Sequence, residues 1–177
     1  MRLTYDIRSE KLDDYEGIKE LNILAFNHKE DEAKLIEHIR ESEFFIPELS
    51  MVAVKGARDI IGHILFSYIS IETAARNIPT LALAPMAVKP EYQNRGIGSE
   101  LVAKGLDVCK NLGHEHVFVL GHPKFYPNFG FIPAKAFGIK SPFSVPDEAF
   151  MACELRNDSL SGIKGTVKYP SSFNKVT

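Results

Sequence analysis

An excess of charge of either sign is missing from this chain: 21 lysines and arginines face 23 aspartates and glutamates, for a formal charge of −2. That balance forces no broad cationic surface and disfavours a dedicated nucleic-acid binder. Long apolar runs are also missing. The longest, Leu81 to Val88, falls far short of the ~20 residues a membrane-spanning helix needs. The first residues, MRLTYDIRSEKLDDYE, hold no apolar core and carry acids early, the pattern of neither a secretory leader nor a transit peptide. Cysteine is scarce. Cys109 and Cys153 stand far apart with no CxxC or Cys/His cluster, so neither a zinc site, nor another metal, nor a disulfide framework is expected; both read as small buried hydrophobes. Hydrophobic residues at 45% and charged residues at 25% sit near the globular average, and the length suits one domain. The expectation is a soluble, cytoplasmic, single domain over residues 1–177, with no nucleic-acid or membrane partner.

Local patterns then place the elements. Leu3, Tyr5 and Ile7 alternate within Arg2 to Arg8 and predict a first strand. Asp13 and Glu16 form a capping-box-like start for a helix that carries Ile18, Leu21 and Ala25. Glu30 to Glu41 predicts a second helix with Ala33, Leu35, Ile36 and Ile39 inward. Ser50 to Lys55 and Ile60 to Glu72 read as a hairpin across Gly56-Ala57-Arg58-Asp59. A polar break at Arg76 to Pro79 precedes the unalternating run Thr80 to Val88, a strand buried on both faces and so central in its sheet. Pro85 cannot donate to a ladder, so a bulge is expected there. Gly96 to Leu112 predicts a helix ended by Gly113, and His116 to Gly121 a strand parallel to the central one. Phe131 to Ile139, Ala149 to Arg156 and Thr166 to Tyr169 complete the strands.

Chemistry concentrates where the central strand feeds a glycine-containing turn, Val88-Lys-Pro-Glu-Tyr-Gln-Asn-Arg-Gly-Ile-Gly-Ser99. The first N–H groups of a helix lack internal partners and its dipole is positive there, so this is an anion site. Gly96 and Gly98 let a pyrophosphate approach the backbone, while Arg95 and Ser99 add a cation and a hydroxyl. The triphosphate loop GxxxxGK[ST] is absent. The dinucleotide fingerprint needs a third glycine, where this chain has Leu101.

Gln93-Asn94-Arg95-Gly96-Ile97-Gly98 fits the pattern Q/R-x-x-G-x-G/A, and Phe125-Tyr126-Pro127-Asn128-Phe129-Gly130-Phe131 follows one helix–strand unit later. Together with the element order, these segments resemble the GCN5-related N-acetyltransferase (GNAT) superfamily, most of all its YhbS-like predicted acetyltransferases. The resemblance implies an α/β fold: a mixed, mostly antiparallel sheet splayed between two central parallel strands, with helices on both faces. It implies acetyl-CoA as co-substrate, held by the main chain of Met86, Ala87 and Val88 and by Gln93, Asn94, Arg95, Gly96, Ile97, Gly98 and Ser99. The acceptor would be a small-molecule or peptide amine, the chain a monomer or homodimer. The first two helices of such proteins often wall the acceptor site. Tyr126 matches the residue that commonly protonates the departing sulfur.

That role is chemically sound, because a tyrosine of pKa ~10 stays protonated at neutral pH beside a thiol of about 8.5. An alkyl ammonium of pKa ~10.4 must lose a proton before attack, so a base or water chain is expected. His122, Glu72, Asp147 and Glu148 are available acids or bases, but each reads first as a solvated or locally bonded residue, and none is assigned a catalytic role. Tyr126 reads also as an ordinary amphipathic residue. The asparagine many members carry before that tyrosine is absent from Val119 to Lys124, where Gly121-His122-Pro123 makes the turn. A non-catalytic acyl-CoA-binding module and an acyltransferase using another acyl-CoA remain the alternatives.

Overall fold

The computed structural model describes residues 3–176. After β1 (Asp6–Ser9) and a 3-10 turn come α1 (Tyr15–Ala25) and α2 (Asp31–Arg40). Three long strands follow, β2 (Phe45–Lys55), β3 (Asp59–Glu72) and β4 (Asn77–Val88), then α3 (Ile97–Asn111) and β5 (His116–Leu120). The chain closes with β6 (Ile132–Pro133), β7 (Ile139–Lys140), β8 (Phe150–Glu154) and β9 (Gly165–Lys168). All these strands share one sheet, ordered β1-β2-β3-β4-β5-β8-β6, with β9 beside β3 and β7 beside β9. Two contacts in it are parallel, β4 with β5 and β7 with β9.

Strand alternation divides the apolar residues between two faces. Met51 and Ala53 of β2, with Ile64 and Phe66 of β3, pack beneath Ile97, Leu101 and Val102 of α3. Val52, Val54 and Leu65 point the other way, onto Ile18 and Leu21 of α1 and Ile36 and Ile39 of α2. A third cluster, including Ile69, Ile71, Phe118 and Phe150, extends the α1/α2 side, since Phe173 packs against both groups. Truncating a fully buried residue such as Leu101 to alanine would cost about 2–5 kcal/mol.

Pro85 does carry the expected bulge. The β3–β4 ladder is regular from Glu72↔Asn77 to Phe66↔Leu83 and resumes at Ile64↔Met86. Leu65 therefore faces both Ala84 and Pro85, the two-against-one count of a bulge. Beyond it the parallel neighbour is lost. Among the described residues β4 and β5 are paired only at Leu81↔Val117 and Ala82↔Phe118, and no strand lies beside β4 from Leu83 to Val88.

Four local expectations shift. The first strand begins at Asp6, and Arg2 lies outside the described residues. The acid that caps the first helical turn is Asp14, which accepts the Lys11 N–H at 2.7 Å and binds Arg8, instead of Asp13 with Glu16. β2 and β4 start earlier than the pattern suggests: Phe45 already pairs with Ser67 of β3, and the Thr73 hydroxyl, donating to Arg76 O at 2.7 Å, closes the turn so that β4 pairs from Asn77 onward. Phe131 to Ile139 is not one strand but β6, a 3-10 turn over Ala134–Phe137, and β7. Pro133 cannot extend the ladder, and Gly138, at φ 76°, reverses the chain.

Candidate active site

At the end of β4 the chain folds back through a 3-10 turn, Pro90–Tyr92. The Gln93 side chain clamps it by donating to Val88 O at 3.0 Å. Asn94 and Gly96 then take positive φ, 62° and 87°, which asparagine tolerates and glycine adopts freely. The first helical bond of α3 runs from Glu100 N to Gly96 O at 3.1 Å. Among the described residues the amides of Asn94 to Ser99 donate to no protein acceptor. A row of unpaired N–H groups at the positive end of a helix is built to receive an anion. A Cβ on Gly96 would meet nothing within 4 Å, so it is backbone geometry that demands glycine there; at Gly98 it would come 3.6 Å from Met86 Cε.

Cations flank this turn. Arg95 sits 5.8 Å from the Tyr92 ring centre, and Lys55 Nζ donates to the Tyr92 hydroxyl at 3.2 Å. Lys89 is bound to Asp59 at 2.9 Å, a hydrogen bond that raises its pKa.

Met86, Ala87 and Val88 lie opposite Ile64, His63 and Gly62 of β3, and among the described residues no strand pairs with their other edge. Met86 and Val88 face α3, whereas the Ala87 methyl points under α1 and α2.

Tyr126 opens a 3-10 turn just after β5, its N–H directed at His122 O at 3.4 Å. It joins Leu83 of β4 and Val119 of β5 in the α3-side cluster, which brings it to the place where those strands part. The residue is 7% exposed, edge-on to Phe125 and Phe131 with ring centres 5.0 Å and 5.6 Å away. Burial pushes its pKa up to about 12. No protein partner for its hydroxyl is found among the described residues.

The residues weighed as acids or bases scatter. His122 adjoins Tyr126 but is exposed and caps the turn through its carbonyl. Asp147 is engaged by Lys135 at 3.0 Å, and Glu148 is exposed. Glu72 stands opposite Asn77, at the far end of β4 from Met86, roughly 30 Å away at ~3.3 Å per residue. That separation removes Glu72 from the site. Gly121, packed against the Tyr126 ring, and the Lys55–Tyr92 contact escape sequence reasoning. The former shows only as a glycine ending a strand; the latter joins residues distant in the chain and leaves no local signature.

Residues 6–131 match the model of the Acetyltransferase (GNAT) family, most of the chain, and the protein belongs to that family. It is 32% identical over 169 residues to the uncharacterized N-acetyltransferase YhbS of Escherichia coli K12, covering 96% of this chain and 98% of that one. To a second such protein of the same organism, YjhQ, it is 36% identical over 136 residues, 76% of this chain and 74% of that one. Among solved structures, Escherichia coli YhbS in complex with CoA superposes with a TM-score of 0.89 at 31% identity, over 98% and 94% of the two chains. A GNAT acetyltransferase of Brucella melitensis in complex with acetyl-CoA shares the fold, with a TM-score of 0.78 at 23% identity over 97% and 99%. Among the described residues no helix is long and apolar enough to cross a membrane, and no group of three or more His, Cys, Asp or Glu is placed to hold a metal.

Proposed function

We propose that the chain, as one N-acetyltransferase domain, transfers an acetyl group from acetyl-CoA to a primary amine by direct attack in a ternary complex. One observation carries this reading: the unpaired edge of β4 leads straight into the row of free amides from Asn94 to Ser99. A diphosphate on those amides and a pantetheine arm along Val88 and Met86 would bring the thioester to the bulge. The CoA bound by YhbS and the acetyl-CoA bound by the Brucella protein support the choice of donor.

In that pose the amine nitrogen forms a bond to the thioester carbon and the carbonyl oxygen becomes an oxyanion. Main-chain N–H groups of β4 beyond the bulge would stabilise it. The C–S bond then breaks, the amine proton leaves to solvent, and sulfur departs as a thiolate. Tyr126 meets that sulfur as a neutral hydrogen-bond donor. With its pKa near 12 against a thiol of about 8.5, complete proton transfer would be uphill by roughly 5 kcal/mol, so the thiolate finally takes its proton from water.

Calorimetry with acetyl-CoA, followed by thiol release in the presence of a panel of amines, tests the proposal. Binding with amine-dependent thiol release is expected. Binding without release would leave a coenzyme-binding module, and preference for a bulkier acyl-CoA would change the donor.

A further inference from the structure

Where β4 leaves β5, the side chains that flank the parting are built almost wholly of carbon and sulfur. On the α3 side stand Leu83, Met86 and Val119, with Tyr126 edge-on to Phe125 and Phe131. Val119 comes level with Leu83, one step beyond the last pair, Ala82↔Phe118. On the α1/α2 side lie Ala82, Ala87 and Phe118. The Tyr126 hydroxyl is the one polar side-chain atom in this set, and it stays neutral, because burial pushes its pKa up to about 12.

The ionisable groups around these walls are engaged elsewhere. His63, opposite Ala87, has its Nε2 3.0 Å from the Ser50 hydroxyl. Desolvation and the charge of Arg40 push its pKa down to about 3, too weak a base to strip an ammonium. His116 lies on the far side of the two β4–β5 rungs from the opening, its Nδ1 2.6 Å from the Thr80 hydroxyl. Asp147 is paired with Lys135 at 3.0 Å. His122, Lys124 and Glu148 are exposed to solvent.

Such walls select by basicity. An ammonium entering them loses hydration that carbon cannot replace, so burial favours the neutral amine. The proton is therefore shed to water before attack. At pH 7 an ε-amine of pKa ~10.4 is neutral in roughly one molecule in 2,500, and an α-amine of about 8 in roughly one in ten. We propose that the acceptor is a weakly basic primary amine, an α-amino group or an arylamine, in preference to an alkyl ε-amine. The inference rests on the acetyl-transfer reading above. The neutral nitrogen bonds to the thioester carbon, the C–S bond breaks, nitrogen gives a proton to water and the thiolate takes one from water.

Two isomers test it. Nε-acetyl-L-lysinamide offers only an α-amine, and Nα-acetyl-L-lysinamide only an ε-amine. With acetyl-CoA as donor and thiol release as readout, the first should show a kcat/KM at least tenfold higher at pH 7. The ~200-fold gap in neutral fraction sets that preference, less the stronger nucleophilicity of the ε-amine. For the second, kcat/KM should climb about tenfold per pH unit from 7 to 9, following its free base. The same climb is expected in His122→Gln and Glu148→Gln, whose exposed side chains can change without unfolding the chain. Aniline separates the two sources: a kcat/KM above that of the α-amine isomer assigns an arylamine, and the reverse an α-amino group. An ε-amine isomer that matches the α-amine isomer at pH 7, a profile that flattens between pH 7 and 9, or no thiol release with any of the three amines while calorimetry shows acetyl-CoA bound would each overturn the proposal. Failure of the wild-type protein to bind acetyl-CoA would instead overturn the reading beneath it, and this one with it.

Discussion

The ring of Tyr126 occupies the space where Gly121 would carry a side chain. A Cβ there would overlap ring atom Cε2 and lie 3.0 Å from Cδ2. Gly121 closes β5 and is anchored by its N–H to Ala149 O at 2.9 Å, so it cannot drift to make room. With Phe125 and Phe131 on its other sides, the phenol is held in one orientation by a backbone surface, not by a hydrogen bond.

Gly121→Ala follows directly. The added methyl displaces the phenol, and a shift of about 1 Å at a reacting centre can cost on the order of 10²-fold in rate. We expect turnover to fall ten- to a hundredfold while acetyl-CoA affinity, measured by calorimetry, changes little. Unaltered turnover would mean that the position of Tyr126 is immaterial to the reaction.

Tyr126→Phe should lower turnover by up to ~10²-fold, the scale for losing one hydrogen-bond donor to a charge that develops in the transition state. A pH profile adds a second check. Burial raises the Tyr126 pKa to about 12, so its neutral, donating form persists through pH 10. The rate of the wild-type enzyme should therefore rise as the amine deprotonates, with no alkaline decline assignable to Tyr126. A fall near pH 9 that vanishes in Tyr126→Phe would contradict that assignment.

Gly96→Val should weaken acetyl-CoA binding about tenfold or more, because a β-branched residue resists φ of 87° and the turn must reshape its amides. Open space around the position rules out a simple clash as the cause. Calorimetry reads the loss, and normal affinity would place the diphosphate elsewhere.

Stability should respond to pH through His63. This residue is fully buried beneath α1 and α2, where desolvation and the charge of Arg40 push its pKa down to about 3. Its Nε2 lies 3.0 Å from the Ser50 hydroxyl, which also bonds Glu10, and Arg40 grips the Glu10 carboxylate at 2.9 Å. In the unfolded chain the imidazole titrates near 6.5, so the unfolded state binds more protons below that value. The contribution of His63 is whole above about pH 6.5 and drains away as pH falls toward 3, at up to ~1.4 kcal/mol per pH unit. Urea midpoints should drop between pH 7 and 5, and less steeply in His63→Gln; parallel slopes in the two proteins would exclude His63 as the cause.

Much of the arrangement could be read from the chain because its signals are local. The unalternating run through Val88, the proline within it and the glycine-bearing turn each act within a few residues, and they predicted a central strand, its bulge and the start of α3. Positions 131–139 misled because their apolar character is shared between a strand and a 3-10 turn, and only Pro133 and Gly138 mark the division. Glu72 misled for another reason. Its strand does reach the middle of the sheet, but register decides which end, and register is fixed by pairing with Asn77. The buried set Glu10, Arg40, Ser50 and His63 is drawn from the loop after β1, from α2, from β2 and from β3, so no spacing announces it.

The two residue pairs that join β4 to β5 leave a vacancy that another extended molecule can fill. On the proposed reading the donor's arm is that molecule, a borrowed strand added to the nine-stranded sheet of the described residues. Each catalytic cycle then completes the architecture on loading and dismantles it on product departure. Letting go of spent coenzyme becomes a matter of unzipping an edge, and the enzyme is whole only while it is at work.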